Sequence, residues 1–320
     1  MIARRVLVRV LQSVAVVFSA ASLAFVLLHL APGDPATALG EGISPELRAT
    51  IRAQYGLDDS VATQYGRWLW SLLRGDWGWS RDQHRPVVAV LADALPRSLF
   101  LMGCALSVSL VGGMLIGAWQ GARAGSRRDR TTSTALLVLY SVPEFWLALV
   151  LLVVFAHHLG WLPATGITDE TYRYMSTRQQ LVDRVRHLVL PLTSLSLVGV
   201  AVFARYQRQA MQESMTHAFV RTARAKGLTE SAVRRQAWRS ALLPVITVTG
   251  LMLPALSTGA VFVERVFAWP GMGFAMIRAI EARDYPVVSA CVILGSAVTA
   301  LGAALADIAR DLADPRLRTP

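Results

Sequence analysis

Six long apolar runs decide what this chain of 320 residues can fold into, because each is long enough to cross a membrane. A helix needs about 20 apolar residues to span the hydrocarbon core of a bilayer. Backbone groups in lipid must form hydrogen bonds within their own segment, which favours helices over irregular structure. The sequence therefore predicts an all-α, polytopic membrane protein with six transmembrane helices. These helices are expected at residues 10–31, 98–121, 132–159, 187–204, 241–263 and 286–306.

The composition also favours a membrane protein over a soluble one. Hydrophobic residues make up 54% of the chain and charged residues only 17%. A soluble domain of this size could not cover so much apolar surface. The first run follows a basic segment, as in a signal peptide, but it is longer than a signal-peptide core and Pro32 follows it. We therefore predict that this run stays in place as a membrane anchor.

The distribution of basic residues predicts the orientation of the chain in the bilayer. With the N-terminus in the cytoplasm, the inner segments are 1–9, 122–131, 205–240 and 307–320. They carry 18 Lys and Arg residues against 6 Asp and Glu residues, whereas the outer segments carry 14 of each. Because cytoplasmic loops are enriched in basic residues, both termini are predicted to be cytoplasmic. Topology thus accounts for the net charge of +11, and no nucleic-acid partner is expected.

The positions of the runs divide the chain into two predicted parts. Residues 1–97 would form an N-terminal transmembrane helix and a long external loop, and residues 98–320 a core of five transmembrane helices. Tryptophans in the external loop either form an aromatic belt at the level of the lipid headgroups or provide a docking surface for an external partner. The sequence leaves both interpretations open for Trp68, Trp70, Trp77 and Trp79.

The cytoplasmic segment 205–244 is too long for a simple connection and too apolar for a disordered tail. Its pattern predicts a helix that continues to Gly227, because glycine suits the left-handed position after a helix and Lys226 lies in the last turn. Thr229 is expected to cap a second helix, with Glu230 in its first turn. The result would be a helix–turn–helix that projects from the membrane. The alternative is a basic loop whose amphipathic pattern is incidental.

The residues around this turn resemble a known motif. Thr222-Ala223-Arg224-Ala225-Lys226-Gly227-Leu228, followed by Ala241-Leu242-Leu243-Pro244, is similar to the EAA loop of ABC importer permeases. The resemblance is strongest to the dipeptide, oligopeptide and nickel permease family, specifically the subunit with a long first external loop. Similar landmarks run in order along nearly the whole chain: Ala31-Pro32-Gly33-Asp34-Pro35, Arg74-Gly75-Asp76, Ser141-Val142-Pro143-Glu144-Phe145-Trp146, Gly160-Trp161-Leu162-Pro163, Val266-Phe267-Ala268-Trp269-Pro270-Gly271 and Arg283-Asp284-Tyr285-Pro286.

The resemblance implies a type I ABC importer permease fold with cytoplasmic coupling helices, placed in the inner membrane of a bacterium. The chain would form half of a translocation pathway for dipeptides or oligopeptides. The implied partners are a second homologous permease subunit, two nucleotide-binding ATPase subunits or domains, an extracytoplasmic solute-binding protein and the lipid bilayer. The residues implied to couple to the ATPase are Arg221, Thr222, Ala223, Arg224, Ala225, Lys226, Gly227, Leu228 and Pro244. Arg221 stands where the general motif has glutamate, so no salt bridge from a glutamate at that position is implied.

We do not expect the chain to be an enzyme. A P-loop needs Gly-Lys followed by Ser or Thr, and the single lysine, Lys226, lies between Ala225 and Gly227. ATP and Mg²⁺ are therefore expected on the partner subunits, and no catalytic residue or cofactor in this chain. Its two cysteines, Cys104 and Cys291, lie within predicted spans and show no metal-site spacing, so no metal is expected.

Glu144 is the one acidic residue inside a predicted apolar run. An unpaired carboxylate in lipid costs at least about 2.5 kcal/mol, so Glu144 should face the bundle interior or a watery cavity. With Pro143 and Ser141 it is a candidate for the translocation path, where it could meet the amino group of a peptide. The alternative is a structural pairing with a polar group on another helix.

The cargo and the energy source have alternatives at this level. The same class of transporter could carry nickel, glutathione or haem, and the external receptor usually sets specificity in such systems. A proton-coupled secondary transporter is a further alternative. The sequence disfavours it, because it has a single intramembrane acid and no evident inverted repeat.

Overall fold

The computed structural model describes residues 2–30, 58–242, 245, 249 and 260–313, with side chains from residue 7 to residue 305 within those ranges. The described chain is almost entirely helical, apart from one two-stranded antiparallel hairpin that pairs Trp79 with Pro86 and Ser80 with Arg85. A helical segment at 260–266 precedes α9. The elements are α1 (Ile2–Leu30), α2 (Val61–Leu73), β1 (Trp79–Ser80), β2 (Arg85–Pro86), α3 (Val87–Gly121), α4 (Arg127–Ser141), α5 (Glu144–Leu151), a π-helical turn (Leu152–His158), a 3₁₀ turn (Tyr172–Tyr174), α6 (Thr177–Thr216), α7 (Ala218–Ala225), α8 (Glu230–Ser240), α9 (Met272–Glu281) and α10 (Tyr285–Ala313).

The predicted all-α membrane fold is confirmed, with four continuous helices long and apolar enough to cross a bilayer among the described residues. They lie at Leu7–Leu30, Val87–Gly121, Thr177–Thr216 and Tyr285–Leu305. The third predicted run is broken into a bent pair that counts as a fifth span if it crosses as one. The run at 241–263 falls mostly outside the described residues, so the count of six stays a prediction.

The break in the third run has a local cause. Helices Arg127–Ser141 and Glu144–His158 meet at an angle of 99°. Pro143 has no backbone N–H and disfavours helical geometry in the residue before it. Val142 accordingly adopts an extended conformation, with φ −83° and ψ 128°. The run at 132–159, predicted as one transmembrane helix, is therefore two helices in the structure, and the bend places Glu144 at the first turn of the second.

Two compact units are present, Met1–Ala94 with Ala275–Ala297 and Leu95–Phe274 with Val298–Pro320. In the first unit, α1 and α2 are joined by a ring contact between Phe25 and Trp68, with centroids 5.3 Å apart. The hydroxyls of Ser22 and Tyr65 are 2.6 Å apart in the same contact. α2 is thus held to α1 by aromatic packing and by this hydroxyl contact.

The hairpin of the first unit is anchored by the buried Asp284, which precedes α10. Its carboxylate accepts hydrogen bonds from the Ser80 hydroxyl at 2.6 Å and from the Asp82 backbone N–H at 3.2 Å. Arg278 of α9 forms an ion pair with Asp82, with 2.7 Å between Nε and Oδ2. Two of the sequence landmarks are close to these contacts. Arg74-Gly75-Asp76 leads into the hairpin, and Asp284 belongs to Arg283-Asp284-Tyr285-Pro286.

In the second unit, α3 and α6 approach so closely that only glycine fits between them. A Cβ atom on Gly113 would lie 2.3 Å from Phe203 Cβ, and one on Gly121 would lie 2.6 Å from Met211 Cβ. At Gly117, between them, a Cβ would lie 2.4 Å from the carbonyl oxygen of Ala204. Close approach through small residues is a recurrent way for transmembrane helices to gain packing contacts in lipid.

A buried carboxylate also joins α3, the segment at 260–266 and the start of α9. Glu264 is 1% exposed and accepts hydrogen bonds from the Ser98 hydroxyl and from the backbone N–H groups of Gly273 and Phe274, at 2.7 and 3.2 Å for the last two. These N–H groups have no partner within their own helix, and the positive end of the α9 dipole favours a carboxylate there. Glu264 follows the apolar run 241–263 directly, so its position in the sequence does not distinguish it from an ordinary polar residue at the end of a span.

A second buried carboxylate, Asp129, fixes the loop between α3 and α4 to α6. Its side chain is 1% exposed and forms a fork with Arg208, with Nε–Oδ1 and Nη2–Oδ2 distances of 2.7 and 2.8 Å. The Gly125 N–H donates to the same carboxylate at 2.9 Å. The hydrogen bonds from Arg208, outweighing burial, lower the pKa of Asp129 from 3.8 to about 2. The fork therefore stabilises the folded chain whenever Asp129 is ionised.

We expect Asp129→Asn to lower the free energy of unfolding by about 2 kcal/mol at neutral pH, because a depressed carboxyl pKa in the folded state is stabilising when the group is charged. In the parent, this stability is complete above about pH 4 and is lost as the pH falls toward 2. Thermal unfolding of the purified protein in detergent, at pH 7 and near pH 3, measures both effects. Asp59→Asn is the control, because the exposed Asp59–Arg67 pair at 2.6 Å should contribute much less. Equal losses in the two variants would contradict the assignment.

Candidate coupling surface and membrane cavity

The predicted helix–turn–helix is present as α7 and α8, joined by a turn at Gly227. Gly227 has φ +74°, the left-handed conformation predicted for it. Its N–H donates to the carbonyl of Arg224 at 3.0 Å, and the Leu228 N–H donates to that of Ala223 at 3.2 Å. This pair of bonds is the Schellman motif, which satisfies carbonyls at a helix end. The Thr229 hydroxyl then accepts from the Ala232 N–H at 3.4 Å and caps α8, as predicted.

The helix pair sits on a buried apolar base. The side chains that face inward form one cluster with the end of α6, and the Ser214 hydroxyl of α6 donates to the carbonyl of Ala237 at 2.8 Å. A bidentate contact from Arg224 to Glu230, with 2.7 Å between Nε and Oε1, bridges α7 and α8 on the exposed side. α7 and α8 are therefore held to α6 and to each other. The buried members of the cluster are Ala210, Met211, Val220, Ala223, Val233, Ala237 and Ala241.

The opposite side of the turn presents an exposed surface. Of the residues implied by the EAA resemblance, Ala223 is buried in the base. Leu228 is 42% exposed, which leaves an apolar side chain beside three basic ones. Pro244 lies outside the described residues. The exposed residues, called the coupling surface below, are Arg221, Thr222, Arg224, Ala225, Lys226, Gly227 and Leu228.

One local expectation for this segment was wrong. The helix before the turn does not continue from α6, because α6 ends at Thr216 and His217 is extended, with φ −66° and ψ 154°. α7 is consequently a separate helix of eight residues. No proline or glycine marks the break, so the sequence held little signal for it.

Glu144 lines a cavity of about 860 Å³ between α3, α4 and α6 in the second unit. Within the described ranges its carboxylate has no hydrogen-bond or ion-pair partner. Polar lining residues include Ser109, Gln120, Tyr140 and Arg205. Pro143 and Ser141 are exposed at the bend beside Glu144, and the Ser141 hydroxyl donates to the carbonyl of Leu137 at 2.9 Å. Neither of these two residues lines the cavity.

The four tryptophans of the predicted external loop differ in their surroundings. Trp68 is partly covered by α1 through the contact with Phe25, and Trp77 is partly buried. Trp70 and Trp79 are each 56% exposed. The guanidinium of Arg74 lies 4.6 Å above the ring of Trp70. The two exposed rings thus remain candidates for either an aromatic belt or a docking surface.

The described residues combine helices long and apolar enough to cross a membrane with a polar-lined cavity and an exposed helix pair, which fits a membrane transport component. The sequence comparisons are more specific. A family model described as the binding-protein-dependent transport system inner membrane component matches residues 113–319, and the N-terminal model of the same component matches residues 2–102. The chain belongs to this family and is a multi-pass inner-membrane permease subunit of an ABC importer.

Several relatives match along nearly their full length. A putative peptide transport system permease protein of Brucella abortus is 37% identical over 316 residues, which cover 98% of each chain. The oligopeptide transport system permease protein AppB of Bacillus subtilis is 35% identical over 312 residues, 97% of each chain. The di/tripeptide transport system permease protein DppB of Pseudomonas aeruginosa is 37% identical over 317 residues, with 94% of each chain covered.

Proposed function

We propose that this chain forms half of the translocation pathway of an ATP-driven importer of dipeptides and oligopeptides. The three relatives above are named for the transport of peptides, oligopeptides, or di- and tripeptides, which supports this cargo over nickel, glutathione or haem. The single structural observation that supports the transport role is the coupling surface. It is an exposed turn on a buried apolar base, and an ion pair between Arg224 and Glu230 joins its two helices. Such a surface can transmit a force from a bound partner to α6 while the helix pair keeps its shape.

The proposed motor is a separate pair of ATPase subunits or domains that bind ATP and Mg²⁺. A cleft on one ATPase would receive the coupling surface, with Leu228 and Ala225 entering it and the basic side chains at its rim. The remaining partners are a second, homologous permease subunit and an external solute-binding protein. Trp70 and Trp79 are the proposed contacts for that binding protein, because they are the most exposed of the four rings.

Reconstitution of the permease pair with its ATPase subunits and binding protein tests this function. Proteoliposomes should take up a labelled tripeptide only with ATP, and a hydrolysis-deficient ATPase subunit should abolish the uptake. A proton gradient alone should drive none. Uptake that persists without the ATPase subunits and collapses with a proton ionophore would favour the secondary-transporter alternative.

The proposed orientation places both termini and the coupling surface in the cytoplasm. Single cysteines at Ala62 and Ser231, in a background lacking Cys104 and Cys291, test it, because both positions are exposed. An impermeant maleimide added to intact cells should label position 62 and should reach position 231 only after the membrane is opened. Labelling of both positions in intact cells would overturn the orientation.

A further inference from the structure

The cavity beside Glu144 holds unpaired groups of opposite charge. Its charged lining residues are Glu144, Arg205 and Arg208. Arg208 is neutralised by its fork with Asp129. Neither the Glu144 carboxylate nor the Arg205 guanidinium has an ion pair or hydrogen bond within the described part of the chain. The cavity therefore offers one free anion and one free cation.

These two charges are carried by different helices that line the cavity, α5 for Glu144 and α6 for Arg205. Ala148 packs in one cluster with Leu190 and Leu195 of α6, so α5 lies against that stretch of α6. Glu144 is one turn before Ala148, and Gly199 of α6 lines the same cavity. Arg205 lies six residues beyond Gly199, which is about 9 Å along a helix. Arg205 is thus set apart from Gly199 along α6, and Glu144 reaches the same cavity from the neighbouring helix α5.

An extended peptide matches this cavity in size and in charge. Each extended residue spans about 3.3–3.6 Å, so a tripeptide reaches about 10 Å from its ammonium group to its carboxylate. A cavity of about 860 Å³ has room for it, since ligand sites fall between about 300 and 1,000 Å³. A neutral solute would leave both charges unused, and an anion alone would meet the Glu144 carboxylate.

We infer that the cavity recognises the two ends of a zwitterionic short peptide, with Glu144 facing the ammonium group and Arg205 facing the carboxylate. This inference rests on the proposed import function and adds which chemical groups of the peptide the cavity recognises. The fork from Asp129 keeps Arg208 from competing for the peptide carboxylate. Arg205 is thereby the only cation among the lining residues described that is available to it.

Transport rates for three probes test the inference in proteoliposomes: trialanine, trialanine amide and N-acetyl trialanine. The binding protein is loaded to saturation with each probe before it is added, and rates are expressed per assembled complex. The same binding protein serves every permease variant, so its own preference cancels when rate ratios are compared. The relevant quantities are the ratio of trialanine to trialanine amide and the ratio of trialanine to N-acetyl trialanine.

Arg205→Gln should lower the ratio of trialanine to trialanine amide by about fivefold, as expected for one solvated charge pair. The ratio for the N-acetyl probe should stay within about twofold of the parent. Glu144→Gln should lower the ratio of trialanine to N-acetyl trialanine by about fivefold. It should leave the ratio of trialanine to trialanine amide within about twofold of the parent. Arg205→Lys should preserve both ratios. Arg130→Gln, which removes an exposed cation that does not line the cavity, should also leave both ratios unchanged.

Specific outcomes would overturn the inference. Equal slowing of all three probes by Arg205→Gln would make Arg205 a structural or topological residue. Unchanged ratios in both variants would show that neither charge meets the peptide. If one of the two variants does not assemble, the other variant and its probe still decide the role of the charge that it removes. Failure of the import function itself would look different, because the parent complex would then transport none of the probes with ATP.

Discussion

Gly227→Val is expected to abolish ATP-dependent uptake while leaving the membrane bundle intact. Gly227 has φ +74°, a conformation that costs a residue with a Cβ atom about 1–2 kcal/mol, and a β-branched residue more. A Cβ there would meet no atom within 4 Å, so the effect comes from the backbone and not from a steric clash. The valine would distort the Schellman turn and tilt α7 against α8. Uptake and substrate-stimulated ATP hydrolysis measure the consequence.

The matched control for this variant is Gly227→Asn, because asparagine tolerates the left-handed region. It should retain most of the uptake and of the stimulated hydrolysis. Docking of the external binding protein should persist in both variants. Normal coupled transport by Gly227→Val would contradict the assignment of this turn as the coupling surface.

Gly117→Val should prevent assembly of a stable permease. A Cβ atom at this position would lie 2.4 Å from the carbonyl oxygen of Ala204 and 2.9 Å from the backbone nitrogen of Arg208. Because these are backbone atoms of a regular helix, they cannot rotate away as a flexible side chain would. Overpacking costs about 1–3 kcal/mol or more, and here it would force α3 and α6 apart. The yield of monodisperse protein in detergent and its melting temperature measure the loss.

Gly103→Val is the control for this second substitution. Gly103 lies on the same helix, and a Cβ there would have no neighbour within 4 Å. The intrinsic change in helix propensity is the same at both positions and cancels in the comparison. Equal losses at Gly103 and Gly117 would mean that the glycines of α3 do not set the distance to α6.

Local sequence rules predicted the features whose causes are local. The left-handed Gly227 and the Thr229 cap depend on residues within about one turn, and both were found. The apolar runs likewise predicted membrane helices, because lipid imposes the same requirement on every span. Pro143 entered the prediction only as a candidate for the translocation path. Its effect on the preceding residue, which turns the chain by 99°, was not considered.

Contacts between distant parts of the chain could not be predicted in this way. Asp129 and Arg208 are 79 residues apart, and Ser98 and Glu264 are 166 apart. Nothing in their immediate neighbours distinguishes these charges from an ordinary polar boundary of a span. The spacing of Gly113, Gly117 and Gly121 at four-residue intervals was the one available signal, since it places three glycines on one face of a helix. Which helix they meet is decided only by the fold.

α6 carries both the wall of the cavity and the support of the helix pair α7 and α8. Its 40 residues correspond to a helix of about 60 Å. The residues that line the cavity, up to Gln209, and those that support α7 and α8, from Ala210, follow each other on this helix without a break. Its internal proline, Pro191, lies before both groups. Under the proposed function, a force on the coupling surface would be carried along one continuous stretch of helix to the wall of the cavity. A movement of the helix pair would then be accompanied by a movement of the cavity wall, because the same helix carries both.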